Sequence, residues 1–139
     1  MKFALLSLFA ILSLSACKKT TVVNQTVDQA YSVLFTINPA DWVQGQSGSQ
    51  TYYSVSLSIP ELDDIINTHG GVEVYISFDG GANYETVPEV FDGVAYGSLH
   101  TTGQVTIDLR DANGGSLTSA ISAPLTAKIV LIDATPLDN

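Results

Sequence analysis

From Tyr31 to Ile132 apolar and polar side chains alternate in short runs with a period of two. Tyr31–Ile37 puts Val33, Phe35 and Ile37 on one side. That alternation, in a stretch rich in β-branched and aromatic residues, predicts a half-buried strand. Asn38-Pro39 ends it. Gln44–Gln50, made of Gln, Gly and Ser, reads as a loop. Thr51–Ile59 alternates again, with Tyr53, Val55, Leu57 and Ile59 on one face and mostly serines on the other. Val72–Phe78 shares Val72, Val74, Ile76 and Phe78 on one face. Asp79-Gly80-Gly81 then turns the chain into Tyr84–Val87, which predicts a hairpin. Val94–Thr101 and Gln104–Arg110 predict a second pair about Thr102-Gly103, with Val105, Ile107 and Leu109 inward. Asn113-Gly114-Gly115 is a turn, and Leu125–Ile132 a last strand.

One stretch changes period. Pro60–Gly70 reads as a short helix near residues 60–68: Pro60 suits the first helical position, acids crowd the first turn, and Gly70 can end it. Leu62, Ile65 and Ile66 make its apolar face, and so short a helix persists only when packed on the sheet. The fold expected is all-β and mainly antiparallel: an Ig-like or Greek-key β-sandwich of about seven strands with that one helix. A small β-barrel is the alternative. No internal repeat of a propeller or solenoid is visible.

The first residues follow a different rule. After Lys2, the run Phe3–Leu14 is apolar and uncharged, the length of a signal-peptide core. It is too short for a membrane span, which takes about 20 apolar residues. Leu14-Ser15-Ala16-Cys17 resembles the bacterial lipobox, in which small residues precede the cleaved bond and the cysteine thiol takes diacylglycerol. A buried structural cysteine is the competing explanation. It fits less well, because the apolar run stops at Cys17 and Lys18-Lys19-Thr20-Thr21 follows. The expected organisation is therefore a signal peptide at 1–16, a lipidated N-terminus and polar tether at 17–30, and a β-domain at 31–135. Acyl chains on Cys17 anchor by about 0.8 kcal/mol per buried methylene. The tether reaches at most about 45 Å at ~3.5 Å per residue. With lysine rather than aspartate at position two, counting Cys17 as one (Lys18), the resemblance implies the outer membrane. The stretch Lys18–Val23 holds no acidic residue, which favours the periplasmic face over the cell surface.

Composition narrows the chemistry. The formal net charge of −9 becomes −10 when Lys2 leaves with the signal, which makes nucleic acid a poor partner. Cys17 is the single cysteine, so lipidation leaves no thiol for a disulfide, a metal or nucleophilic catalysis. No G-x-S-x-G elbow occurs. His69 and His100 have no metal-ligand partner near them in sequence. Glu61, Asp63 and Asp64 are better explained by a helix dipole than as a glycosidase pair. No catalytic residue is assigned, and no enzymatic activity is expected.

Ser77-Phe78-Asp79-Gly80-Gly81-Ala82-Asn83-Tyr84 resembles the Asp-box hairpin of sialidases, S-x-D-x-G-x-T-W, with Asn83 and Tyr84 replacing Thr and Trp. A carboxylate that accepts turn N–H groups, a glycine at positive φ and a packed aromatic stabilise such a hairpin. Calcium is the second reading, with Asp79, Asp111 and Asn113 as candidate ligands; the full loop with its closing glutamate is missing. No other cofactor is expected. Trp42, Tyr52, Tyr75 and Tyr84 are the candidate binding residues, because aromatics on a sandwich face can stack on sugars. Equally, they can fill a core or pair across strands.

Asp41-Trp42, Ile59-Pro60-Glu61, Ile65–Ile76 with Gly70-Gly71, Tyr84-x-x-Val87-Pro88 and Ala127–Ile132 carry a further likeness. In them the chain resembles a group of small Bacteroidetes lipoproteins, some of which carry collagen-like repeats before a β-rich domain. This chain has no collagen-like repeat, and the group has no established activity. The resemblance implies an envelope location and β architecture. The expected role is a lipid-anchored, non-enzymatic interaction or structural module. The alternative is a glycan- or peptide-binding accessory lipoprotein, with an envelope protein or glycan as its partner.

Overall fold

The computed structural model describes residues 30–134. The signal peptide, the lipidated Cys17 and the tether expected from the sequence fall on residues 1–29 and lie outside the described residues. The strands are β1 (Ala30–Ile37), β2 (Val43–Ser47), β3 (Gln50–Ser58), β4 (Gly71–Ser77), β5 (Glu85–Thr86), β6 (Glu89–Phe91), β7 (Val94–Thr101), β8 (Gln104–Asp111) and β9 (Leu125–Ile132). The helix α1 is Asp64–His69, and a single 3₁₀ turn spans Pro39–Asp41.

The strands form two sheets, ordered β1-β9-β4-β5 and β2-β3-β8-β7-β6, with every ladder antiparallel. Each sheet keeps two edges, so the architecture is a β-sandwich and not a barrel. The inner faces follow from the period-two pattern. Leu125, Ala127, Ile129 and Leu131 of β9 and Val74 and Ile76 of β4 face Val105, Ile107 and Leu109 of β8 and Val55 and Leu57 of β3. Among the described residues, no helix is long and apolar enough to cross a membrane.

Several local expectations change. The stretch read as a loop, Gln44–Gln50, is mostly β2, paired with β3 from Val43↔Ser54 to Ser47↔Gln50. Gly45 permits it: an added Cβ would stand 2.4 Å from the Tyr52 ring, which covers the strand there. Strand β6 is an addition, turned into β7 by Asp92 (φ +49) and Gly93 (φ +77). These additions take the strand number past seven, and Tyr84–Val87 contributes only the two residues of β5.

The helix starts later than Pro60. Its N-cap is Asp63, whose carboxylate accepts the Ile66 N–H at 2.8 Å, while Pro60-Glu61-Leu62 turns through Leu62 N–H donating to the Ile59 carbonyl. Leu62 and Ile66 are buried, but Ile65 is 53% exposed and does not share their face.

Helix α1 carries the chain from β3 in one sheet to β4 in the other and closes one end of the sandwich. It is tied to the β7–β8 turn: Gly103 N–H donates to the Leu62 carbonyl at 2.7 Å, and Thr102 donates to Asp64. Gly70 follows for a steric reason, since an added Cβ would lie 2.3 Å from the Ile132 carbonyl oxygen. Ala30, Gly71 and Ile132 meet at this end. Phe78 and Pro124 lie at the other. The described ladders and the described buried core lie in 30–134, all of which a chain beginning at residue 20 retains.

Candidate functional site: a cleft at the end opposite α1

Three elements converge at the open end. Phe78 follows β4. Tyr96 of β7 pairs directly with Leu109 of β8, both pointing into the sandwich. Phe91 ends β6 and is brought over them by the Asp92-Gly93 turn, where aspartate tolerates a left-handed backbone. The rings of Phe78 and Phe91 stack at 4.5 Å, and Phe78 meets Tyr96 edge-on at 5.4 Å.

The segment 117–124 forms the facing wall and is pinned to the start of β3. Leu117 N–H donates to the Thr51 carbonyl at 3.0 Å, Thr51 N–H to Ser116 Oγ at 3.0 Å, and Tyr53 to the Thr118 carbonyl at 3.4 Å. Gln50 donates to the Gly114 carbonyl. Between wall and rings lies a cleft of about 470 Å³, within the range of about 300–1,000 Å³ that small-molecule sites occupy. Leu117, Ile121 and Pro124 add apolar surface, and Thr118, Ser119 and Ser122 add hydroxyls. Asp92 is the one charged residue lining it.

Tyr96 is only 3% exposed and lines the cleft. Burial, reinforced by the charge of Asp92, pushes the phenol up to about 12, so it stays a hydroxyl at any physiological pH.

The aromatic candidates do not assemble into a surface platform. Trp42 is 7% exposed and packs in the core rather than on an outer face. The crossing from β1 to β2 tucks it between the sheets, with its indole N–H unpaired among the described residues. Tyr52 lies over Gly45 on the outer face of the five-stranded sheet, with the Arg110 guanidinium 4.6 Å from its ring centre. Arg110 is held in turn by Asp108 at 2.7 Å. Tyr75 and Tyr84 flank Lys128 on the outer face of the other sheet, with its ammonium 4.6 and 4.1 Å from the two centroids. These are cation–π contacts, and they occupy the ring faces that a sugar would stack on.

The calcium candidates are engaged elsewhere. Asp79 accepts from Ser77 Oγ at 2.7 Å, from Asn83 N–H at 2.9 Å and from Asn83 Nδ2 at 2.7 Å, while Ser77 accepts the Gly81 N–H at 2.8 Å. The Asn83 backbone bond above all, then the Asn83 and Ser77 side chains, hold the Asp79 carboxyl down at about 2. Asp111 accepts the Asn113 N–H at 2.7 Å, which makes the turn before Gly114. Among the described residues no group of three or more His, Cys, Asp or Glu is placed to hold a metal ion. His100 bonds Asn67 at 3.0 Å, beside the Asp64–Thr102 contact that docks α1.

The cleft itself was not among the sequence candidates. Asp92-Gly93 was its one local signal, an Asp-Gly pair of the kind that turns hairpins. No family model, curated protein or solved structure matches this chain.

Proposed function

We propose that this chain is a lipid-anchored, non-enzymatic binding module of the bacterial outer membrane, with its ligand cleft on the end of the sandwich away from the bilayer. The anchoring rests on the sequence: an uncharged apolar run, Leu14-Ser15-Ala16-Cys17, then Lys18-Lys19 beside the headgroups. The binding rests on one observation, the cleft between the Phe78, Phe91 and Tyr96 rings and the pinned segment 117–124.

The topology supports joining the two. The tether enters at Ala30, which pairs with Ile132 at the α1 end, while Phe78 and Pro124 lie at the far end of β4 and β9. Strands of that length span roughly 25 Å at about 3.3 Å per residue. A ligand then approaches from the periplasm without crossing the anchor. Working through Tyr52, Tyr75 and Tyr84, the glycan-binding alternative has less support, because each ring already carries a cation.

Two measurements test the proposal. The full chain, expressed with labelled palmitate, is expected to take up label and lose residues 1–16, and Cys17→Ser to do neither. A small-fragment screen by amide NMR on residues 20–139 is expected to shift Phe91, Tyr96 and 117–124 together. Label retained in Cys17→Ser would overturn the anchoring, and hits clustered away from the cleft would overturn the binding site.

A further inference from the structure

We propose that the cleft selects a small organic ammonium, a protonated amine on an apolar body about the size of one ring. The inference rests on the cleft being a binding site. Its walls fit the body: Leu117, Ile121 and Pro124 on one side and the Phe78–Phe91 stack on the other.

Its polar groups fit the head. Tyr96 is 3% exposed and lines the cleft, and its phenol hydroxyl can donate to or accept from the polar head of a ligand there. Asp92 places a carboxylate on the same lining, and no lysine, arginine or histidine lines the cleft. The two basic side chains of the described residues are both committed elsewhere, Arg110 to Tyr52 and Asp108, Lys128 to Tyr75 and Tyr84. Asp92 therefore has no basic partner until a ligand brings one. The aromatic lining attracts cations as well. An anion would meet Asp92 and a strongly negative chain.

Three probes of one shape separate the possibilities: 2-phenylethylammonium, 2-phenylethanol and phenylacetate. Each is titrated into residues 20–139, and amide shifts are followed at Phe91, Tyr96 and 117–124. The ammonium is expected to bind about tenfold tighter than the alcohol, the effect of one charge-assisted bond, and phenylacetate weakest. Asp92→Asn keeps a residue that tolerates the left-handed backbone, so the fold is retained. In that variant the ammonium should lose its advantage over the alcohol. Tyr96→Phe should weaken both.

Equal binding of ammonium and alcohol to the native chain, or discrimination that survives Asp92→Asn, overturns the ammonium inference and leaves the cleft standing. If none of the three moves the cleft residues, the cleft reading itself falls.

Discussion

The rings of Phe78 and Phe91 lie 4.5 Å apart at an interplanar angle of 22°, and they come from opposite sheets. The stack ties the cleft end of the sandwich as α1 ties the other. Phe91 is 47% exposed, so its burial contributes only in part. Phe91→Ala should lose the stack, about 0.5–1.5 kcal/mol, plus a fraction of the buried area. Phe78→Ala should cost more, because Phe78 also meets Tyr96. Urea melts measure both; equal midpoints for Phe91→Ala and the native chain would show that the stack is not a tie.

Trp42 provides a sharper stability test. It is the only tryptophan and is buried, so its emission should be blue-shifted and poorly quenched by iodide. Trp42→Ala should destabilise by about 3–5 kcal/mol. Trp42→Phe keeps most of the packing and removes an unpaired N–H, so it should cost much less. Easily quenched emission in the native chain would place Trp42 at the surface after all.

The strands were legible wherever a row of apolar side chains meets a partner row. Val105, Ile107 and Leu109, or Ala127, Ile129 and Leu131, announce their inner face because burial falls at every second residue. Strand β2 has no such row. Val43, its one large apolar residue, is exposed, and the strand is held by its ladder to β3 and the ring of Tyr52. Trp42 gives no periodic cue, since its burial depends on where the chain crosses between sheets. The hairpin from Ser77 to Tyr84 was legible because its chemistry is local. The cleft was not. Phe78, Phe91, Tyr96 and Ile121 meet only after both sheets are assembled, and 117–124 has no period to read.

The Asp79 network makes a pH prediction. Its folded value of about 2 lies below the ordinary 3.8, so the unfolded chain binds the proton more readily. The carboxylate therefore stabilises the hairpin fully above pH 3.8, and the contribution is lost as pH falls through about 2. The Asn83 amide, which donates to Asp79, should titrate with a midpoint near 2. Ser77→Ala removes one donor and should move that midpoint upward. A midpoint near 4 in the native chain would mean the network does not form in solution.

Lys128 raises the question of whether a half-buried cation on a sheet face stabilises the protein or only sits there. It lies across the ladder from Tyr75, and Tyr84 reaches it from the Asp-box hairpin, so one ammonium joins β9, β4 and that hairpin. A partly exposed cation–π contact contributes about 0.5–1 kcal/mol. Single substitutions blur this, because Lys128→Met also changes packing of the stem and Tyr84→Leu also loosens the hairpin beside Gly81. The double-mutant cycle removes both side effects and leaves the coupling. Between Lys128→Met and Tyr84→Leu, a coupling of about 0.5 kcal/mol or more is expected, nearly unchanged in 0.5 M salt, since a ring face is screened less than an exposed ion pair. A coupling of zero would leave Tyr84 with an open face in solution and would return it to the candidates for stacking on a sugar.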